Sequence, residues 1–198
     1  MTRARILKSD EYQKVLAHLA KRGHYSRNCC LVHMSHLAGL KCGQLAGLKI
    51  SDVLGDDGRI KDEILLASTD ERRRAVLLPH KLRVELEEYL SARFALKATD
   101  LALIHFTDTS RPLFYSQKSM TRGFSANTLS QWFGATYRGA KIKGATSGSG
   151  RRFFAMRLCD KSVAPRVIQR LLGHQQLQTT RLFCDLSPNS MRSAVELV

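Results

Sequence analysis

Arg166-Val-Ile-Gln-Arg-Leu-Leu-Gly-His174, followed by Thr179-Thr180-Arg181-Leu182-Phe183, is the stretch from which the fold is read. By itself it predicts a helix over residues 164–172 closed by Gly173, because glycine takes the left-handed position after a helix at little steric cost, and a further helix over 178–184. Arg151 stands 23 residues before His174, and Phe183 stands nine after it. A helix over 151–160 opens at Arg151-Arg152, directly behind Gly144-Ala-Thr-Ser-Gly-Ser-Gly150, by composition the most flexible stretch of the chain. Farther out, Ser125 opens a helix through Trp132 and Phe133, and Pro79 opens another whose Leu82, Leu86, Tyr89 and Leu90 follow the helical period. Two β-leaning runs, 59–67 and 72–78, flank Ser68-Thr-Asp-Glu71 and predict a hairpin. Gly55-Asp-Asp-Gly58 is a turn by composition. Residues 28–38 form a buried helix stopped by Gly39, and 45–50 a short helical turn. Ser9-Asp10-Glu11 caps an amphipathic helix carrying Tyr12, Val15, Leu16 and Leu19. Residues 96–124 read as irregular, and Pro188 starts a short terminal helix. The fold class is therefore α+β, mostly α, with one small antiparallel sheet, in a single domain over residues 1–198.

The composition, 43% hydrophobic and 25% charged over 198 residues, permits a packed core. No run of 18 apolar residues exists, which excludes a transmembrane helix, and no apolar segment follows the basic N-terminus as a secretory signal requires. Five cysteines without C-x-x-C spacing argue against a disulfide framework and a structural zinc site. No metal or cofactor is expected, and a cytoplasmic location fits. The charge is more telling: 32 basic residues oppose 17 acidic ones, net +15. Residues 1–50 carry nine basic and two acidic groups, residues 51–100 nine and eleven, and residues 101–198 fourteen and four. Two basic segments around a near-neutral middle suggest the lips of a positive cleft, whose commonest polyanion is nucleic acid.

The spacing of Arg151, the Leu-Leu-Gly-His174 box and position 183 resembles the end of a tyrosine recombinase (phage integrase) catalytic domain. An earlier box, Ala38-Gly39-Leu40-Lys41-Cys42-Gly43-Gln44-Leu45 with Leu48 and Ser51-Asp52, resembles the segment holding that family's first arginine, and the hairpin falls where the family places its lysine. The resemblance spans residues 9–198 and implies the short, fimbrial-switch-like form. In that family a tyrosine attacks the scissile phosphate, two arginines and a histidine hold its oxygens, and a lysine protonates the leaving oxygen. The resemblance places Phe183 on the tyrosine, Lys41 on the first arginine, Gly148 on a histidine, Thr69 on the lysine and Gln44 on an acidic partner. Only Arg151 and His174 keep the family's residue. A phenyl ring has no nucleophilic oxygen, lysine lacks the planar fork of arginine, and Tyr137 is the last tyrosine of the chain. The implied protein is a catalytically inactive relative.

Double-stranded DNA is the expected partner. Candidate contacts are Arg72, Arg73 and Arg74 on the hairpin, with Arg74 a possible reader of guanine in a groove, and Arg151 and Arg152 at a helix N-terminus that offers backbone N–H groups to phosphate. Lys41, Lys118, Arg122, Lys141, Lys143, His174 and Arg181 complete the set, while Phe153, Phe154 and Trp132 read as core. Self-association on DNA is expected through the apolar C-terminal residues Met191, Ala194, Val195, Leu197 and Val198. A transcriptional regulator is the reading this favours. The alternatives are a DNA breaking–joining recombinase with a displaced nucleophile, an inactive partner in a recombinase assembly, and a protein-interaction module of a mobile element.

Overall fold

The computed structural model describes residues 4–66, 74–106, 109–116, 119–183 and 195–196. The chain is built around α2 (Tyr25–Leu37), which is buried along nearly its whole length from Arg27 to His36. Helix α1 (Ser9–Ala20) lays Tyr12, Val15 and Leu19 against it, one residue per turn as the helical period requires. Glu11 ties the start of α1 by accepting from the backbone N–H of Lys8 at 2.9 Å and pairing with Arg5 at 2.6 Å. Short helices α3 (Cys42–Gly47) and α4 (Ile50–Val53) then lead to the hairpin of β1 (Glu63–Leu66) and β2 (Arg74–Leu77). Its antiparallel register sets Ile64 opposite Val76 and Leu66 opposite Arg74. Because side chains alternate between faces, Arg74 shares the inner face with Ile64, Leu66 and Val76, while Leu65 and Leu77 point outward.

Helix α5 (His80–Phe94) follows Pro79 and buries Leu82, Leu86, Tyr89 and Leu90 against α2. Residues 98–106 form a 3-10 helix. Helix α6 (Ala126–Gly139) is capped by Ser125, whose hydroxyl accepts from the Thr128 N–H at 3.1 Å. Helix α7 (Ser149–Asp160) packs on the C-terminal half of α2, and α8 (Pro165–Leu172) and α9 (Leu177–Arg181) close the chain around a small cluster of Ala155, Ile168 and Leu172. Among the described residues no helix is long and apolar enough to cross a membrane.

The structure departs from the sequence reading at α3 and α4, which replace one turn over 45–50, at the 3-10 helix inside the stretch expected to be irregular, and in the features that follow. Among the described residues there are two small sheets: β3 (Tyr115–Ser116) pairs with β4 (Ser119–Gly123) inside the stretch expected to be irregular. A two-residue strand carries no alternation to read. The glycine-rich stretch ends in packing rather than flexibility. Gly150 lies within α7, where a Cβ would come within 2.3 Å of Ser35 Oγ, so glycine is what lets α7 approach α2. Finally, Cys29, Cys30 and Cys42 are free, but Cys159 is disulfide-bonded. Phe153, Phe154 and Trp132 are core or packed against it, as expected.

His33 and His36, one turn apart on α2, are held neutral. Burial is the main cause and takes both down to about 4. The Val32 carbonyl accepts from His36 Nδ1 at 2.8 Å, which leaves Nε2 to accept from the Tyr137 hydroxyl at 3.4 Å. Glu85 lies 3.5 Å from His33 Nδ1, but loss of hydration outweighs that attraction and Lys81 opposes it. The unfolded chain takes up protons below about pH 6.5 that the folded chain refuses until near pH 4, so stability is complete above pH 6.5 and falls as pH drops. Denaturant titrations at pH 5 are expected to show about 2 kcal/mol less stability per histidine than at pH 7. A flat profile over that range contradicts the account.

Candidate nucleic-acid interface

Four separate parts of the chain meet at one cavity of about 480 Å³, lined by Ala4, Lys41, Cys42, Ser147, Gly148, Arg151, Arg152, His174, Thr179, Leu182 and Phe183. Lys41 stands at the N-cap of α3, with its backbone N–H donating to Gln44 Oε1 at 2.9 Å. Gly148 and the two arginines come from the start of α7, His174 from the residue after the Gly173 cap of α8, and Phe183 from just beyond α9. Positions separated by up to 179 residues in the chain, Ala4 and Phe183, thus line one cavity.

Arg151 is 4% exposed. Its Nη1 donates to the Gly39 carbonyl at 2.5 Å and its Nη2 to the Leu172 carbonyl. These oxygens sit just past the C-terminus of α2 and at the end of α8, where helix carbonyls lack internal donors and carry partial negative charge. The guanidinium therefore clips two helix ends together. Arg152 is also buried, donating to Ala4 and Leu182 carbonyls with its guanidinium 5.7 Å from the centre of the Phe183 ring. Both arginines stand in the first turn of α7, as the sequence placed them at a helix start. Both line the cavity, and their Nη groups also donate to backbone carbonyls that hold them in place.

Arg74 is a correction. A place on the inner face of β2 turns it away from any groove-facing surface: its Nη2 donates to the Leu171 carbonyl, and its chain lies across Gly173. Burial lowers the pKa of Arg74, and burial first, with the charge of Arg74 adding to it, lowers those of Arg151, Lys41 and His174. The hairpin thus contributes a positive charge behind the cavity. His174 is pushed down to about 4, by burial first and then by Arg151, Lys41 and Arg74. It is neutral at pH 7, its Nδ1 3.0 Å from Thr180 Oγ1 and its ring 4.9 Å from that of Phe183. Thr180, which is fully buried, was not singled out in the sequence reading. Among the described residues no carboxylate pairs with Lys41, Arg74, Arg151 or His174.

The other candidates separate. Arg181 is exposed at the end of α9, close to the cavity; Lys141 and Lys143 are exposed in the loop after α6 and do not line it. Arg122 lies on β4, whose partner β3 packs on the opposite end of α2, with Arg27 Nη1 donating to the Tyr115 carbonyl at 3.0 Å. Arg122 is not brought to the cavity. Thr69, Arg72, Arg73 and Lys118 lie outside the described residues, as do Met191, Ala194, Leu197 and Val198.

Residues 5–190 match the Phage integrase family. The chain belongs to the phage integrase family. Among curated relatives it is 26% identical over 170 residues to the tyrosine recombinase XerD of Rickettsia conorii, covering 83% of this chain and 54% of that protein. It is 27% identical over 171 residues to the tyrosine recombinase XerA of Pyrococcus furiosus, covering 86% and 54%. This phage integrase family chain therefore spans about half the length of the relatives it matches. In fold it resembles the XerA recombinase crystal structure, with a TM-score of 0.76 at 22% identity over 100% of this chain and 66% of that one. It also resembles the Tn1549 transposon integrase in complex with transposon right-end DNA, with a TM-score of 0.71 at 16% identity over 100% and 67%.

The seat of Arg74 on Gly173 is testable. Gly173 has φ 63°, and a Cβ there would meet Arg74 Cδ at 2.5 Å. Gly173→Ala is expected to cost about 2 kcal/mol from backbone strain and crowding. Arg74→Ala removes the crowding, so the double variant should lose less stability than the two single losses added together. Strict additivity in chemical denaturation contradicts the contact.

Proposed function

We propose that the protein binds double-stranded DNA through this cavity and its rim without breaking a strand, and that it acts as a transcriptional regulator. The observation that carries the proposal is the convergence of Lys41, Arg151, Arg152 and His174 on one cavity whose remaining wall includes Phe183, a ring without a hydroxyl. Lysine and arginine side chains gathered beside a neutral imidazole donor suit a phosphate backbone. Strand cleavage in this family needs an oxygen nucleophile on the phosphorus, and the position that supplies it by resemblance holds only carbon and hydrogen. Lys41 contributes charge without a fork, and Gly148 contributes no donor from a side chain. The curated relatives are tyrosine recombinases, and the DNA-bound Tn1549 integrase shares the fold, which supports duplex as the partner. Regulation follows from binding a site while leaving it intact.

The salt dependence of duplex binding tests the first part. Each phosphate contact contributes a slope of about −0.9 in log affinity against log salt, so Lys41→Ala is expected to flatten the slope by about one unit. Arg59→Ala, which removes an exposed charge from the turn before β1, should leave it unchanged. Equal effects contradict the assignment. Suicide substrates on denaturing gels should show no covalent adduct with the wild-type chain, nor with Phe183→Tyr, because Lys41 and Gly148 remain. Genomic fragments selected by the protein are expected to cluster upstream of genes, and a selection without sequence preference overturns the regulatory reading.

A further inference from the structure

The cavity gathers the positive charge of Lys41 and Arg151, with Arg74 behind it. Arg151 Nε and Arg74 Nε are buried without a hydrogen-bond partner, and no carboxylate among the described residues pairs with Lys41, Arg74, Arg151 or His174. Like charges held together at partial burial repel, and an anion seated among them removes that penalty. A duplex does so only when it is bound.

The remaining wall has another character. Ala4, Cys42, Leu182 and Phe183 present uncharged surface on a cavity of about 480 Å³, a volume within the range of about 300–1,000 Å³ typical of small-ligand sites. The Phe183 ring lies 4.9 Å from the His174 ring, tilted to it by 59°, and 5.7 Å from the Arg152 guanidinium. That arrangement fixes an aromatic face beside a cationic end. A cationic end with an apolar face matches a monoester of phosphate on an organic body, which carries a charge of about −1.5 to −2 at neutral pH. Each backbone phosphate of DNA carries only one.

We propose that in the absence of DNA this cavity binds a small phosphomonoester, with the phosphate at Lys41, Arg151 and His174 and an aromatic or apolar body on Phe183, and that ligand and duplex exclude one another. The inference rests on reading the cavity as a phosphate site and adds a ligand class that regulates it.

Calorimetric titration of the full chain with phenyl phosphate, inorganic phosphate and phenol tests it. Phenyl phosphate is expected to bind at least tenfold more tightly than inorganic phosphate, with phenol showing no binding, and to displace labelled duplex. Phe183→Ala should bring the ratio of the two phosphate affinities close to one. Phe183→Leu, which keeps apolar bulk for a chain that tolerates less change, should give an intermediate ratio. Lys41→Ala should weaken both phosphates by the same factor. Equal affinities for phenyl phosphate and inorganic phosphate, a ratio indifferent to Phe183, or a ternary complex with duplex overturns the inference. Duplex affinity measured on the same protein separates the two proposals. DNA binding without phenyl phosphate binding overturns only the ligand, whereas phenyl phosphate binding by a chain that ignores duplex supports the ligand and overturns the DNA reading.

Discussion

The Arg151 guanidinium spans carbonyls contributed by Gly39 and Leu172, which lie 112 and 21 residues from it along the chain. Those two oxygens belong to helix ends that have used up their own donors, and both are buried where water cannot serve them. A buried acceptor left without a donor costs about 1–3 kcal/mol, so one side chain stabilises two chain reversals at once. Around that clip, α2 delivers the loop with Lys41, α8 delivers His174, and α7 supplies the arginine itself. The cavity exists because these three ends are tied to a common cation.

Such a tie concentrates positive charge. Arg74 comes behind the same helix end to reach the Leu171 carbonyl, and the oxygens that accept from the two arginines are dipole ends, not full charges. They hold the guanidiniums in place and leave net charge available to an anion. Burial first, and then the same field, keeps His174 neutral, with Thr180 Oγ1 3.0 Å from its Nδ1. Its neighbour Phe183 then forms the apolar side of a site that is otherwise cationic. Charge at one end and an aromatic face at the other follow from a single geometric requirement, the joining of helix ends.

Much of this site was legible along the chain. The spacing of Arg151, His174 and Phe183 and the early box with Lys41 named four positions that the fold does gather, and Gly148 makes a fifth. The longer helices from 9 onward followed, to within a few residues, from period, caps and glycine stops, whereas the turn read at 45–50 is α3 and α4 and the 3-10 helix at 98–106 was read as irregular. Arg74 was misread because three consecutive arginines look like a charged outer face. The alternation Arg74, Val76, Leu78 pointed inward and was outweighed by the charge. Arg122 was grouped with the site on charge alone, although α2, at about 1.5 Å per residue, separates its sheet from the cavity by some 20 Å.

Local rules operate over a few residues, so the sequence by itself determined the helices, the glycine stop before His174, the absence of a hydroxyl at position 183 and the surplus of positive charge. Which cations face an open cavity and which are spent on backbone oxygens was decided only by the tertiary structure. Arg151, Arg152 and Lys41 are alike in charge, yet two are buried on carbonyls and one stands at the rim. The difference is where unsatisfied helix-end carbonyls come to lie, and their positions depend on how α2, α7 and α8 pack, over distances in sequence that no local pattern spans.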